Sequence, residues 1–293
     1  MNYKFNNLRI LNKPEKIYLK YDNNKDYTII PKINEYIYKC SIVAHTKGDI
    51  KECIYSPISG RLLETIKEND YKYLILENDF KEINDNLKGI NKSIVDIKYE
   101  DYINKLATSG IYNQNKPIYL NYIDSFKKYL IIDCLDNSIL LSKFLLKNNI
   151  EELLETIDAM IEINKLKECF FLIDKKDKEL KKILEQKIGT YLNIKIIKIS
   201  LRKKEKKITL FKKKNKLEEN NIIMETINNI FNIKNVLKYN IPFIEKFVII
   251  KKGKNILPIR VKNGTKLSYV LKELSIENDK DIIIDNDIDE ITL

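Results

Sequence analysis

One central segment constrains the fold most, because strand-like and helix-like stretches alternate along it. YLIIDCL (129–135), ECFFLID (168–174) and NIKIIKIS (193–200) are largely apolar runs, typical of strands buried on both faces. Between them, NIEELLETIDAMIEINKLK (149–167) and KDKELKKILEQKIG (176–189) have the spacing of amphipathic helices. The order strand, helix, strand, helix, strand predicts a parallel α/β unit.

The first seventy residues differ from this segment, because they consist of short runs rich in Ile, Tyr and Val between polar turns. The whole chain has only seven glycines and six prolines, yet Pro57-Ile58-Ser59-Gly60 contains one of each. Proline fixes φ and glycine accepts positive φ, so this tetrapeptide predicts a tight reversal between two strands. The predicted strands are KIYLKY (16–21), DYTIIPKI (26–33), YIYKCSIVA (36–44), ECIYSPI (52–58), GRLLETI (60–66) and YKYLILEN (71–78).

Two further regions complete the chain. SIVDIKYEDYINKLATSG (93–110) predicts a helix that ends at Gly110, since glycine is a common residue after a helix. NNIIMETINNIFNIKNVLKY (220–239) is also predicted to be helical. EKFVIIKKGKNILPIRVKNGTKLSYVLKEL (245–274) indicates a strand, a glycine turn, a second strand and a helix, and DIIIDNDIDEITL (281–293) adds a last strand. This order is that of a small β-grasp module.

The formal net charge of +11 raises a nucleic-acid hypothesis, but the type of basic residue argues against it. Arginine can clamp phosphates and read bases bidentately, yet it occurs only four times, and nearly all the positive charge is lysine. We therefore expect no nucleic-acid partner. The densest basic run, RKKEKKITLFKKKNK (202–216), is predicted to form a solvated edge hairpin, with docking on an anionic surface or a partner as the alternative.

Residues that bind metals or carry redox chemistry are few. The four cysteines (Cys40, Cys53, Cys134 and Cys169) are far apart and no CxxC occurs, so we expect buried small hydrophobes and no metal site. The single histidine, His45, is expected at a strand end or turn. No apolar run approaches the roughly eighteen residues of a membrane helix, and the first residues do not resemble a secretory signal. A cytoplasmic location is expected.

Several stretches follow one another in the order and spacing of one known family. PKINEYIYKCSIVA (31–44) and IYSPISGRLLETI (54–66) match a hairpin and the following strand of a barrel-sandwich hybrid. LATSGI (106–111) and YLIIDCLDNS (129–138) come next, before the long helix and ECFFLID. IPFIEKFVIIKKGKNILPIRVKNGTKLSYVLKEL (241–274) matches an SLBB β-grasp module, with Pro242, Gly253, Pro258, Gly264 and Thr265 in register. The chain thus resembles the RnfC family, whose members are components of the Rnf-type electron transport complex that links ferredoxin and NAD.

The resemblance implies a multi-domain α/β fold. Residues 1–92 would form a barrel-sandwich hybrid-like β domain, residues 93–219 a parallel, Rossmann-like α/β core, and residues 220–293 an SLBB-like β-grasp module. Two other interpretations of the first region are a purely structural hybrid domain and a biotinyl or lipoyl carrier. The carrier would modify Lys47, but no methionine flanks that lysine.

The chain also departs from the family pattern. The family's glycine-rich flavin and nucleotide loop, of the form GLGGAGFPT, is replaced by SGIYNQNKPIYL (109–120), in which only Gly110 and Pro117 remain. At the family's acidic NGAECEP element the chain reads DCLDNS (133–138), which keeps Asp136 at the first acidic position. The ferredoxin-like region with paired CxxCxxC motifs has no counterpart here. The resemblance therefore carries over neither an iron–sulfur cluster nor a well-formed flavin site.

These observations favour a divergent RnfC-like protein that acts as a non-catalytic docking or assembly subunit of a redox complex. Its partners would be protein subunits of that complex, and it would reach the inner face of the membrane only indirectly, through them. No catalytic residue or metal ligand is predicted, and no cofactor-binding residue is assigned.

Two alternatives remain open. One is an NADH- or flavin-binding oxidoreductase subunit, in which Lys116 replaces lost phosphate contacts and Asp136 accepts a hydrogen bond from a ribose or flavin. FMN or NADH would then be the cofactor. The other is an SLBB-type module that binds a ligand or partner, for which binding would weaken as salt rises.

Overall fold

The structure is a computed structural model that describes most of the chain in two compact units. Unit 1 consists of Met1–Lys88, Thr108–Gly110 and Ile241–Leu293, and unit 2 of Gly89–Ala107 and Ile111–Asn240. The described residues are 4–5, 8–22, 24–48, 50–68, 71–84, 94–113, 116–124, 126–135, 139–189, 191–202, 204–252, 255–276 and 282–285.

Both strands and helices are frequent, so the fold is mixed α/β. The strands are β1 (Lys4–Phe5), β2 (Arg9–Leu11), β3 (Lys16–Asp22), β4 (Tyr27–Ile29), β5 (Tyr36–Ile37), β6 (Ile42–Thr46), β7 (Cys53–Tyr55), β8 (Gly60–Glu68), β9 (Tyr71–Asn78), β10 (Tyr112–Asn113), β11 (Lys116–Pro117), β12 (Tyr129–Asp133), β13 (Glu168–Asp174), β14 (Ile194–Ile199), β15 (Ile222–Thr226), β16 (Glu245–Lys252), β17 (Asn255–Lys262) and β18 (Ile282–Asp285). The α-helices are α1 (Tyr99–Thr108), α2 (Ile139–Ile163), α3 (Lys178–Ile188), α4 (Lys204–Lys214), α5 (Ile227–Tyr239) and α6 (Leu267–Glu273).

The early strands of unit 1 form two antiparallel sheets. One has the order β3-β9-β8-β5 and the other β4-β6-β7. Alternate residues of β3 are buried, as expected for strands with one face in the core. Ile17, Leu19, Val43, Leu62 and Leu74 belong to the resulting apolar core. The prediction of short strands in this region is confirmed.

The Pro57–Gly60 turn makes the tight reversal that its composition predicts. Gly60 has φ +155°, and an added Cβ would lie 1.7 Å from the carbonyl oxygen of Glu77, so only glycine fits. The turn is also held by side chains: the Ser56 hydroxyl donates to the carbonyl of Ile58 at 2.6 Å, and the Ser59 hydroxyl donates to Asp79 Oδ1 at 2.6 Å. The role of this stretch is structural.

Unit 1 also contains a sheet built from the two ends of the chain. Strands β16 and β17 pair antiparallel, β18 pairs with β16, and β1 and β2 pair parallel with β17. Together with α6, the last described elements follow the predicted order of two strands, a helix and a final strand. Gly264 (φ +76°) approaches β3 so closely that an added Cβ would lie 2.6 Å from the Tyr18 carbonyl oxygen. Gly253 lies outside the described residues.

Unit 2 is built on a four-stranded parallel sheet with the order β14-β13-β12-β15. The three strands predicted for the central segment are confirmed. The helix predicted from residue 220 is wrong in its first part, because Ile222–Thr226 pairs with β12 as the fourth strand. Helix α5 follows directly, and the Thr226 side chain caps it by accepting from the backbone N–H of Asn229.

The basic run 202–216 forms helix α4, so the predicted edge hairpin is wrong. Ile208 and Phe211 are three residues apart and therefore lie on one helical face, where both pack into the sheet's core. The ring of Phe211 meets that of Phe170 edge to face, with centroids 5.3 Å apart. A connection between the parallel strands β14 and β15 also requires a crossover, which a helix provides.

Helix α2 is longer than the predicted span 149–167. It begins at Ile139 and kinks at Asn149, whose backbone is not helical and whose side chain donates to the carbonyl of Leu145. Within the described part of the chain, no helix combines the length and apolar character needed to span a bilayer.

Candidate functional site at the carboxyl edge of the parallel sheet

The order of strands in unit 2 defines where a ligand site is expected. The chain adds β13 and β14 on one side of β12 and then crosses to add β15 on the other side. The strand order therefore reverses between β12 and β15, and in open α/β sheets ligands bind beyond the carboxyl ends of the strands at such a point. Two pairs of neighbours mark this edge: Ile132 with Glu225, and Asp133 with Thr226.

Glu225 is the central residue of this edge. Its side chain is buried, with 1% of the residue exposed. Oε1 accepts hydrogen bonds from Asn121 Nδ2 (2.8 Å) and the Tyr122 hydroxyl (3.3 Å). Oε2 accepts from Asn113 Nδ2 (2.9 Å) and Asn229 Nδ2 (2.8 Å). Burial raises the pKa of the Glu225 carboxyl, although the four hydrogen bonds act in the opposite direction.

These five residues, Glu225 with Asn113, Asn121, Tyr122 and Asn229, are called the Glu225 latch. They join elements that are distant in sequence: the hairpin of β10 and β11, the 3₁₀ turn Ile118–Asn121 with Tyr122 after it, the end of β15 and the start of α5. Asn113 Nδ2 also donates to the carbonyl of Met224 at 3.1 Å. Because both carboxylate oxygens are fully engaged, the latch fixes a loop on the sheet and does not present a free acid or base.

A second carboxylate stands at the end of the neighbouring strand. Asp133 Oδ1 accepts from the backbone N–H of Leu135 at 2.7 Å, and Oδ2 forms an ion pair with Lys204 Nζ at 2.8 Å. Lys204 opens helix α4, so this ion pair fixes the start of α4 near the strand end. In both cases the acidic group at the sheet edge binds donors from other segments of the same chain.

Of the two residues that the oxidoreductase alternative would use, Lys116 is exposed in the hairpin, where its register partner is Asn113 of the latch. Asp136 lies outside the described residues. The sequence interpretation missed Glu225, Asn121 and Asn229. The sequence contains one signal for Glu225, which is an acid near the end of the apolar run IIMET (222–226). The helix predicted for 220–239 includes that run and therefore hides the signal.

The segment held by the latch carries large exposed apolar side chains. The exposed fractions are 71% for Phe126, 47% for Ile123 and 38% for Leu120. Tyr112 in the hairpin and Met224 beside Glu225 are exposed to a similar extent as Leu120. We call Leu120, Ile123 and Phe126 the apolar side chains of the latched segment. Tyr, Phe and Met are enriched where proteins contact each other.

Unit 1 contains a separate cluster of buried charge. Lys262 is 1% exposed, and its Nζ donates to Glu82 Oε1 at 2.7 Å and to the carbonyl oxygen of Pro57 at 2.9 Å. Lys39 pairs with the other oxygen of Glu82. Burial lowers the pKa of Lys262. Burial alone would raise the pKa of Glu82, but the two lysines outweigh it and the net shift is downward.

All four cysteines are free and buried, which confirms the prediction that they are buried small side chains. Cys40 lines a groove of about 450 Å³ in unit 1 together with Tyr36, Tyr38 and Tyr55. Burial raises the pKa of the Cys40 thiol to about 11, so it is protonated at neutral pH and is not a reactive nucleophile. Among the described residues, no group of three or more His, Cys, Asp or Glu side chains is placed to hold a metal ion.

Comparison of the sequence with protein-family models and with curated proteins found no match. What can be inferred about function therefore follows from the chain's own residues and geometry.

Proposed function

We propose that the protein is a docking or assembly subunit of a redox complex, a divergent relative of the RnfC family without catalysis of its own. The observation that carries this proposal is the Glu225 latch. At the point of the α/β sheet where a nucleotide would be expected, the chain's own asparagines and tyrosine are bound to a buried carboxylate.

The charge at this edge also argues against a nucleotide. A dinucleotide site normally offers backbone N–H groups and a helix N-terminus to phosphate. Here Glu225 is buried at the end of β15, and Asp133 ends the adjacent strand. The ammonium group of Lys204 is already paired with Asp133, and both oxygens of Glu225 are held by the chain's own donors, so this edge offers a phosphate little attraction.

The exposed side chains support a role in docking. The segment held by Glu225 displays Phe126, Ile123 and Leu120 to solvent. Large exposed apolar side chains on a fixed segment are typical of surfaces that bind another protein. The proposed partners are protein subunits of a ferredoxin- and NAD-linked complex or an associated reductase, on its cytoplasmic side.

The first test separates this proposal from the nucleotide-binding alternative. Purified protein is titrated anaerobically with FMN and with NADH, and flavin fluorescence and the visible spectrum are followed. We expect no saturation in the micromolar range. Saturable binding that weakens in Lys116→Gln or Asp136→Asn would instead support the oxidoreductase alternative.

The second test addresses docking directly. A tagged chain is purified gently from its native cells, and the proteins that accompany it in stoichiometric amount are identified. We expect flavin- or iron–sulfur-containing subunits with the wild type and their loss with Ile123→Ser/Phe126→Ser. Leu192→Ser is the matched control, because Leu192 is also strongly exposed (94%) but lies in the turn before β14. Loss of the partners in the control alone, or their absence from the wild type, would contradict the proposal.

A further inference from the structure

Helix α4 separates its lysines into two groups. KEKKITLFKKK contains six lysines and one glutamate. The lysines nearer the protein are half-buried: Lys204 pairs with Asp133, Lys212 pairs with Glu219 at 2.9 Å, and Lys207 is the third. The lysines that point outward, Lys206, Lys213 and Lys214, are exposed. Within the described ranges, none of these three forms an ion pair.

The centre of this outward face is apolar. Leu210 is 55% exposed, although Ile208 and Phe211 of the same helix are packed in the core. Lys206 lies four residues before Leu210, and Lys213 and Lys214 lie three and four residues after it. These spacings place the three ammonium groups around one exposed leucine. We call Lys206, Leu210, Lys213 and Lys214 the outer face of α4.

We propose that the outer face of α4 binds directly to an anionic lipid surface. This goes beyond the proposed docking function and does not depend on it, since the apolar side chains of the latched segment are a different set of residues. It also goes beyond the expectation from sequence that the membrane is reached only through partner subunits.

Two observations favour lipid over an acidic protein. First, the cations of the outer face are all lysines, which are compact point charges without the bidentate geometry that arginine offers to carboxylates. Lysines suit a diffuse layer of phosphate headgroups, which attracts each of them by about 1 kcal/mol. Second, Leu210 stands among them, and an apolar side chain within a basic helical face inserts at the boundary between headgroups and acyl chains.

The test is sedimentation of the full chain with vesicles. We expect binding to vesicles of equal parts phosphatidylglycerol and phosphatidylcholine, weaker binding as KCl rises, and little binding to phosphatidylcholine alone. Lys206→Gln/Lys213→Gln/Lys214→Gln should lower the partition coefficient by roughly 100-fold, at about fivefold for each lysine. Leu210→Ser should lower it severalfold without changing its dependence on salt.

The matched control removes the same charge elsewhere. Lys16→Gln/Lys51→Gln/Lys67→Gln changes three exposed lysines of unit 1 and should leave most of the binding. Circular dichroism confirms that each variant is folded. An equal loss in both triple variants would mean that binding follows net charge, which overturns the proposal. Failure of the wild type to bind anionic vesicles also overturns the proposal. Binding of polyglutamate without binding of anionic vesicles would show that α4 docks on an acidic polypeptide instead.

Discussion

The Nζ atom of Lys262 donates a hydrogen bond of 2.9 Å to the carbonyl oxygen of Pro57. Lys262 ends β17, and Pro57 begins the tight turn into β8, so residues about 200 positions apart are joined inside unit 1. Glu82 neutralises the lysine at 2.7 Å. The turn that stood out in the sequence is therefore fixed by a buried cation from the far end of the chain.

Lys262→Met should destabilise unit 1 strongly. The variant leaves the Pro57 carbonyl without its donor and Glu82 with Lys39 as its partner, and breaking a buried ion pair costs about 3 kcal/mol. Urea unfolding followed by circular dichroism measures the loss, and hydrogen exchange assigns it to unit 1. Lys272→Met changes an exposed lysine of α6 and should have little effect. Equal stability of the two variants would show that the buried contact contributes nothing net.

Glu225→Ala should release the latched segment. Three asparagine amides and the Tyr122 hydroxyl lose their acceptor, and unsatisfied buried donors cost about 1–3 kcal/mol each before relaxation. We expect a loss of about 3 kcal/mol in unit 2 and faster amide exchange in residues 116–122. Glu219→Ala is the control, since that glutamate is exposed and its partner among the described residues is Lys212. Unchanged exchange in the segment would refute the latch.

Glu152 should make the stability of unit 2 depend on pH in the acid range. A hydrogen bond from Tyr239 is the main cause that lowers the pKa of Glu152 to about 2, and Lys234 and Lys238 also contribute. A depressed pKa stabilises the fold above the unfolded value of about 4.5, and that contribution is lost as pH falls towards 2. Glu152→Gln should cost about 1–2 kcal/mol at pH 7, allowing for solvent screening.

The difference between wild type and Glu152→Gln should shrink between pH 4.5 and pH 2 and vanish below it, since protonated Glu and Gln are then alike. Urea unfolding at a series of pH values provides the measurement. A difference that stays constant across that range would mean that the ionised carboxylate is not the source of the stability.

Gly60→Ala should prevent unit 1 from packing. The methyl group would lie 1.7 Å from the Glu77 carbonyl oxygen, a backbone atom of the paired strand β9, so the strands must separate. We expect a loss of at least about 3 kcal/mol. Gly189→Ala is the control, because an added Cβ there meets nothing within 4 Å, and it should be neutral or slightly stabilising. Thermal unfolding of both variants provides the comparison, and similar melting would contradict the expectation.

The sequence predicts elements well where local pattern and tertiary role agree. The run 168–174 coincides with β13, since it is a short apolar stretch bounded by charged residues and buried on both faces. The prediction for 202–216 was wrong because only Ile208 and Phe211 of α4 show which face is buried. The strand Ile222–Thr226 was missed because its pairing with β12 lies outside any local window, and the helix that follows has a similar apolar content.

The candidate site was less accessible to sequence reasoning than the fold. The altered loop 109–120 contains Asn113, but the acceptor of that side chain, Glu225, is 112 residues away. Nothing local indicates that three asparagines and a tyrosine converge on that carboxylate. Only the parallel pairing of β12 with β15 places Glu225 at the edge of the sheet, where Asn113 and Asn121 of the preceding loop reach it.

Unit 1 is interrupted by unit 2 along the chain, and this has a consequence during protein synthesis. Residues 111–240 leave the ribosome as a continuous segment, so unit 2 can fold while translation continues. Strands β1 and β2 can pair only after β17 has been synthesised. The hydrogen bond to the Pro57 carbonyl likewise forms only after Lys262 has been synthesised. The edge strands β1 and β2 are therefore made long before β17, and they reach their final partner only after unit 2 has been synthesised.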